Sequence, residues 1–184
     1  TAKSNRFDYK ENINALYANY NRQFKKGIMI QFGLRVENTN LTGTSTGQKW
    51  DTDQQAWKNF DSSFTRGYTG LFPSASFTLN KNPQKQWTFT YSRRIDRPAY
   101  QDLNPFEFRL NEYTYMKGNT NLRPQYTNSF GVTNIYKYKL TTTLNYSHVQ
   151  DIFAQVPDTA DKTKGFLYKN NLATQDVFAL NINY

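Results

Sequence analysis

The feature that most constrains the fold is an alternation of apolar and polar side chains with a period of two. It is clearest in residues 28–38, where Ile28, Phe32 and Val36 lie on one side and Gln31 and Glu37 on the other. Two residues is the period of an extended chain, so the segment predicts a strand with one apolar face. Similar stretches predict six more strands, over residues 11–20, 71–80, 87–92, 126–136, 140–154 and 172–184.

The connections between these strands alternate strictly between short and long. Short turns are expected at residues 24–27, 80–85 and 137–139, and loops without strand character at 39–66, 95–123 and 157–164. Membrane β-barrels have short turns on one side and longer loops on the other. We therefore expect the first two loops at one end of the sheet, and Lys25, Lys81 and Lys137 at the other.

Aromatic residues gather beside the short turns, as in an interfacial girdle. They are Phe24, Trp87, Tyr136, Tyr138 and Tyr184. The opposite strand faces carry small polar residues, which suits a water-filled lumen and favours a membrane barrel with Phe32 facing lipid. A soluble sandwich or lipocalin-like barrel, whose strands also alternate, is the alternative.

Composition excludes several classes of protein. The mean hydropathy of -0.85 and the lack of a run of about 20 apolar residues argue against membrane helices. An aromatic content of 17% argues against a disordered chain. The net charge of +9 comes with lysines at turns rather than in a stripe, so nucleic acid is not an expected partner. No apolar leader precedes the first strand, so the protein is expected to be cytosolic or to have lost its start.

No catalytic constellation is apparent, so the sequence predicts neither an enzyme nor a metal or cofactor site. Cys is absent, and the single histidine, His148, is expected to be solvated or interfacial. Seven strands is an odd number, whereas bacterial single-chain barrels have an even one. We therefore expect either an incomplete barrel with two unpaired sheet edges or a strand missed within a loop.

Three stretches carry a resemblance to a known family. They are YTGLFPSASFTLN at 68–80, YSRRIDRPAYQDLNPF at 91–106 and GNTNLRPQYTNSF at 118–130. Together they resemble the Bacteroidetes-type outer-membrane β-barrels of TonB-dependent receptors. The third is similar to that family's G-N-P-x-L-x-P-E signature, with Thr120 and Gln125 as departures. The positions taken as family motif, with a structural role, are Arg97, Pro98, Asn104, Pro105, Phe106, Gly118, Asn119, Leu122 and Pro124.

The resemblance implies an all-β antiparallel meander that forms part of a transmembrane barrel of about 22 strands. Residues 1–184 would be a single internal segment of it, without the plug and N-terminal domains. The implied function is uptake of a large nutrient such as a siderophore, glycan or peptide in the cell outer membrane. The implied partners are outer-membrane lipid, lipopolysaccharide, the plug domain, TonB and a small ligand. A structural or adhesive barrel without uptake, or a soluble ligand-binding sheet, remains the alternative.

Aromatic residues in the long loops are the candidate ligand contacts, because flat rings stack on sugars or iron chelates at low entropic cost. They are Trp50, Trp57, Tyr100, Phe106, Tyr113 and Tyr115. The Asn104–Pro105–Phe106 segment is expected to shape its own loop rather than to bind substrate, with Phe106 fastening the loop to the barrel wall.

Overall fold

A computed structural model describes residues 4–51, 54–82, 84–161 and 164–184. Seven long strands dominate it, and a short 3₁₀ helix and two short strands lie within one connection. The long strands are β1 (Asn5–Phe24), β2 (Ile28–Asp51), β3 (Ala56–Asn82), β4 (Lys85–Asp96), β7 (Gln125–Tyr136), β8 (Leu140–Asp161) and β9 (Lys164–Asn183). The connection between β4 and β7 holds the 3₁₀ helix Tyr100–Leu103, β5 (Phe108–Arg109) and β6 (Thr114–Met116).

All strands belong to one open, curled sheet in the order β1-β2-β3-β4-β7-β8-β9-β6-β5. The long strands pair antiparallel with their neighbours, whereas β6 pairs parallel with β9 at residues 165–167. Strands β1 and β9 do not pair with each other in the described part of the chain. The predicted all-β meander with unpaired edges is confirmed, and β5 and β6 are the strands that the sequence did not reveal.

Two predicted loops are in fact strands. Residues 39–51 continue β2 and pair with β3 as far as Asp51 opposite Ala56, so the loop prediction for 39–66 is wrong. The prediction for 157–164 is also wrong, because β8 runs to Asp161 and pairs there with Lys164 of β9. These segments, rich in Thr and Ser, are held as strands by their backbone hydrogen bonds. A strand that projects beyond the bilayer needs no apolar face.

In the half of the sheet next to the short turns, which we call the lower half, the two faces of every strand differ. One row of directly paired residues crosses six strands on the outer face: Ile30, Phe77, Phe89, Val132, Leu144 and Leu180. The adjacent row on the inner face consists of small or polar residues: Gln31, Ser76, Thr90, Gly131, Asn145 and Ala179. Phe32 is 48% exposed and Leu180 62%, so the apolar face is open to its surroundings. Among the described residues, no helix has the length and apolarity needed to cross a membrane.

The short turns lie together at one end of the sheet. The amide of Asn80 donates to the carbonyl of Gly27 over 2.6 Å, and the amide of Lys137 to that of Gln84 over 2.7 Å. Gly27 has a φ of 70°, and a Cβ there would lie 2.0 Å from the Asn80 carbonyl oxygen, so only glycine fits. The predicted grouping of Lys25, Lys81 and Lys137 is confirmed.

Candidate functional site

The connection between β4 and β7, residues 97–124, folds back over the inner face of the sheet; we call it the inward loop. Leu103, Phe106 and Leu122 are its buried apolar side chains, with 2%, 4% and 1% exposure. Beneath it, Thr39 and Ser45 of β2 are fully buried although both are polar. Both belong to the set of every second β2 residue that faces the inside of the barrel. The loop therefore covers a continuation of the polar inner wall.

Asn104 fastens the inward loop to the β2–β3 hairpin. Its Oδ1 accepts hydrogen bonds from Ser45 Oγ at 2.9 Å and from the amide of Phe106 at 3.2 Å. Its Nδ2 donates to Asn5 Oδ1 of β1 at 2.9 Å, and Asn5 in turn donates to Ser45 Oγ. Next to this network the ring of Phe106 packs edge-on against Phe60 at 5.7 Å. Hairpin and inward loop therefore lie at the same end of the sheet, as predicted.

Arg97 forms a second attachment through a mostly buried ion pair. Its Nη2 donates to Glu37 Oε2 over 2.7 Å and to Thr39 Oγ1 over 3.2 Å, and its Nε donates to the hydroxyl of Tyr68 over 3.2 Å. Glu11 lies 3.7 Å away on β1. Burial acts to lower the pKa of Arg97, but hydrogen bonds to Glu37 and Tyr68 outweigh burial and raise that pKa. The guanidinium is thus a fixed positive charge that ties the start of the loop to three strands.

The end of the inward loop is held by close backbone contacts. The amide of Gly118 donates to the Asn104 carbonyl over 2.7 Å, and that of Asn119 to the Asp102 carbonyl over 2.7 Å. A Cβ on Gly118 would lie 2.4 Å from the Asn104 oxygen, so a larger residue would separate the two segments. From β3, Arg66 Nη1 donates to the Leu122 carbonyl over 2.8 Å.

On its other side, the inward loop is attached to β8 and β9. Lys169 Nζ forms an ion pair with Asp102 at 2.8 Å, and Asn119 Nδ2 donates to the Lys169 carbonyl over 3.1 Å. The ring of Tyr115 packs against Phe166 with centroids 5.8 Å apart. The loop therefore bridges the two sides of the curled sheet across its mouth.

Two pockets lie between the inward loop and the strands. The first, of about 610 Å³, lies on the β1–β3 side. Its polar and aromatic lining includes Tyr9, Arg66, Tyr68, Arg97, Tyr126 and Asp151. Burial, with help from the charge of Glu11, raises the pKa of Tyr9 to about 12. The phenol is protonated at neutral pH, and its hydrogen bond to Glu11 also contributes to the raised pKa.

The second pocket, of about 660 Å³, lies on the β9 side. Its lining combines aromatic rings with both signs of charge: Phe7, Tyr100, Asp102, Phe108, Lys117, Tyr168 and Lys169. Within it, Lys117 Nζ lies 5.5 Å from the ring centroid of Tyr168.

The predicted ligand aromatics do not converge on one place. Tyr100 lines the second pocket and is 54% exposed. Tyr113 is 71% exposed and Trp57 37% exposed, but neither lines one of the two pockets. The ring of Phe106 is buried between Phe60 and Phe108 and has no free face for stacking.

The remaining two predicted ligand aromatics are Tyr115 and Trp50. Tyr115 packs on Phe166 and does not line either pocket. The backbone of Trp50 pairs with that of Trp57 at the hairpin, whereas its side chain lies outside the described residues.

Several pocket residues were missed in the sequence because the strands were predicted too short. Tyr9 and Tyr68 lie on the inner face of β1 and β3, beyond the predicted strand limits. Extending the alternation of β3 back from Phe72 through Tyr68 to Arg66 would have found two of them. Tyr168 lies in the first half of β9, which was read as loop and connection.

His148 has a partner that sequence spacing could not show. Its Nδ1 lies 2.8 Å from Asp176 Oδ1, because β8 and β9 place the two residues directly opposite each other. The hydroxyl of Tyr146 donates to the same oxygen over 2.8 Å. In the described part of the chain no cluster of three or more metal-binding residues is found.

A curled sheet with an apolar exterior, a polar interior and a loop folded into its mouth defines the wall of an outer-membrane β-barrel. The outer membrane protein beta-barrel family model matches residues 1–184, and the chain belongs to that family. The predicted outer-membrane location follows from it, and the soluble alternative is excluded. None of the curated proteins matches the sequence.

Solved receptor structures share the fold. The chain is similar to a double mutant of the Serratia marcescens hemophore receptor HasR in complex with its hemophore HasA and heme, with a TM-score of 0.70 and 14% identity over 95% of this chain and 32% of that one. It is also similar to the Pseudomonas aeruginosa ferric enterobactin receptor PfeA in complex with BCV-L6, with a TM-score of 0.52 and 10% identity over 96% of this chain and 33% of that one. The chain thus spans about a third of the length of these receptors.

Proposed function

We propose that this chain is a ligand-contacting part of the barrel of a TonB-dependent receptor, which imports a large nutrient such as a siderophore, glycan or peptide. The observation that carries the proposal is the inward loop with its two pockets at the loop end of the barrel. Such concave sites with aromatic lining and a few fixed polar groups are typical of ligand sites. The fold shared with the barrels of hemophore and siderophore receptors supports it.

The chemistry of the pockets favours a polar, ring-containing or chelated ligand. Tyr9 and Tyr68 offer hydroxyls beside the fixed charge of Arg97 in the first pocket, and Tyr100 offers an exposed ring in the second. Rings present large contact area with few rotatable bonds, so stacking costs little conformational entropy. In this proposal the chain binds and guides a ligand and does not catalyse a reaction. The plug domain and TonB would act through other parts of the receptor.

The test is energy-dependent uptake by cells that make the full-length protein. Radiolabelled ferric siderophores, oligosaccharides and peptides are supplied in turn, with and without dissipation of the proton gradient. We expect one class to accumulate only in energised cells, and Tyr100→Ala to reduce that accumulation at low ligand concentration. Thr46→Ala, an exposed site on β2 outside both pocket linings, is the matched control.

Failure of every ligand class to accumulate, with the protein folded in the membrane, would favour the structural or adhesive barrel. Binding without energy-dependent accumulation would point to adhesion rather than import. Either result would leave the fold and family assignment unchanged.

A further inference from the structure

The positive charge of the protein is concentrated at the end of the barrel that carries the short turns. Seven exposed cations lie there, and we call this set the turn rim: Arg22, Lys25, Lys26, Lys81, Lys85, Lys137 and Lys139. Residues 12–36, 62–95 and 113–150, which contain the three turns, have no Asp or Glu. The chain's net charge is +9, so most of the excess is local to this rim.

The geometry makes the turn rim one continuous surface. Hydrogen bonds join Gly27 to Asn80 and Gln84 to Lys137, so neighbouring turns touch. Neighbouring turns lie two strands apart, which is about 10 Å at roughly 4.8 Å between strands. This separation is comparable to the Debye length of about 8 Å at physiological salt, so the repulsion between cations of neighbouring turns is only partly screened. An anionic surface on that side would relieve the repulsion.

The aromatic neighbours of these cations indicate where the turn rim lies relative to the lipid headgroups. Arg22 lies 4.9 Å from the ring centroid of Phe24, Lys85 lies 5.9 Å from that of Trp87, and Lys137 lies 5.2 Å from that of Tyr136. These rings pair with Ile28, Leu79 and Leu140 of the lipid-facing surface. Aromatic belts sit at the level of lipid headgroups, so the cations beside them reach the phosphates.

We propose that the turn rim binds the headgroups of anionic phospholipids in the periplasmic leaflet of the outer membrane. Short turns of such barrels face the periplasm, and lysine stems can lie along apolar surface while the ammonium stays in the wet headgroup layer. A soluble acidic protein would also match the charge. It would not explain why three of the cations lie beside lipid-facing rings. The proposal rests on the barrel topology and is independent of nutrient uptake.

The test compares lipids retained by the full-length protein. The protein is reconstituted in nanodiscs with equal amounts of phosphatidylglycerol and phosphatidylcholine of identical acyl chains, and native mass spectrometry gives the ratio of the two lipids bound. The test variant is Lys25→Gln/Lys81→Gln/Lys137→Gln, one substitution in each turn. The control, Arg6→Gln/Lys10→Gln/Lys58→Gln, makes the same charge change at the loop end. Heat-modifiable gel migration verifies that each barrel is folded.

We expect the wild type and the control to retain phosphatidylglycerol preferentially. The turn-rim variant should lower the ratio at least fivefold, since one cation near an anionic surface contributes roughly that factor. In the wild type the preference should also fall when salt is raised from 50 to 500 mM, which tests the proposal even if the variant does not fold. Equal retention of both lipids by the wild type, or an unchanged ratio in the folded variant, would overturn it.

Discussion

Replacing Asn104 with alanine tests whether hydrogen bonds hold the inward loop in place. The side chain makes three hydrogen bonds, to Ser45, the Phe106 amide and Asn5, and is only 6% exposed. The substitution leaves a fully buried hydroxyl at Ser45 without its acceptor. A lost hydrogen bond costs about 1 kcal/mol, and a buried group left unsatisfied costs about 1–3 kcal/mol. Some relaxation is expected, so undocking of the loop should become easier by about 2–4 kcal/mol.

Hydrogen exchange of backbone amides measures this local opening directly. The amide of Lys117 in the loop donates to the Leu167 carbonyl of β9, and the amide of Gly165 in β9 donates to the Tyr113 carbonyl of the loop. Both bonds join loop and sheet, so both amides report on the docked loop. A change of 2–4 kcal/mol corresponds to exchange roughly 30- to 1000-fold faster in the variant. Strand amides of the lower barrel should keep their protection. Asn12→Ala, at an exposed position of β1, is the matched control and should change neither set.

A double-mutant cycle then identifies the partner. Ser45→Ala alone should loosen the loop, and combining it with Asn104→Ala should cost less than the sum of the two, because both changes remove the same hydrogen bond. If Asn104→Ala leaves exchange at Lys117 and Gly165 within threefold of the wild type, the network does not stabilise the docked loop and the reasoning is refuted.

Three further predictions concern neighbouring features. Gly118→Ala should increase loop exchange, because its Cβ would meet the backbone at 2.4 Å, whereas Gly165→Ala, whose nearest atom is 3.7 Å away, should be tolerated; equal effects would contradict this. Arg97→Gln should weaken loop docking by about 1–3 kcal/mol, measured by the same exchange, since the buried carboxylate of Glu37 loses one of its two guanidinium partners and keeps only Arg35. Phe32→Arg should lower the free energy of unfolding in lipid by about 2–4 kcal/mol and Gln31→Arg by little, measured by urea titration. Equal costs would place Phe32 away from lipid.

The sequence predicted the fold best where the membrane constrains it. In the lower half of the barrel every second residue of a strand faces lipid. Lipid-facing residues such as Phe77, Phe89 and Val132 can therefore be recognised from the alternation along their own strands. Beyond the bilayer that constraint ends. The upper part of β2 carries Thr, Ser and Gly on both faces and is held by its backbone ladder, so no apolar period can be recognised there. The upper part of β3 keeps an aromatic residue at every fourth position, Phe60, Phe64 and Tyr68, which is a weaker signal than full alternation.

The interior of the candidate site could not be predicted for a different reason. Asn104 and Asn5 are hydrogen-bonded across 99 positions of the chain, and Lys169 reaches Asp102 across 67. Local periodicity carries no information on such pairs. The resemblance did single out Asn104 and Gly118, but only the coordinates show that they meet through their backbones.

The polar character of the barrel wall determines how its inward loop can be held. The surface beneath the loop continues the inner face of β2, so it presents the polar residues Glu37, Thr39 and Ser45, with Leu41 between the last two. A loop on such a surface must satisfy each buried polar group, which explains the Asn and Arg side chains at its attachments to β1, β2 and β3. Because water can replace these partners, each hydrogen bond contributes only about 1 kcal/mol net. The hydrogen bonds therefore fix the position of the loop, and the burial of Leu103, Phe106 and Leu122 adds to its docking free energy.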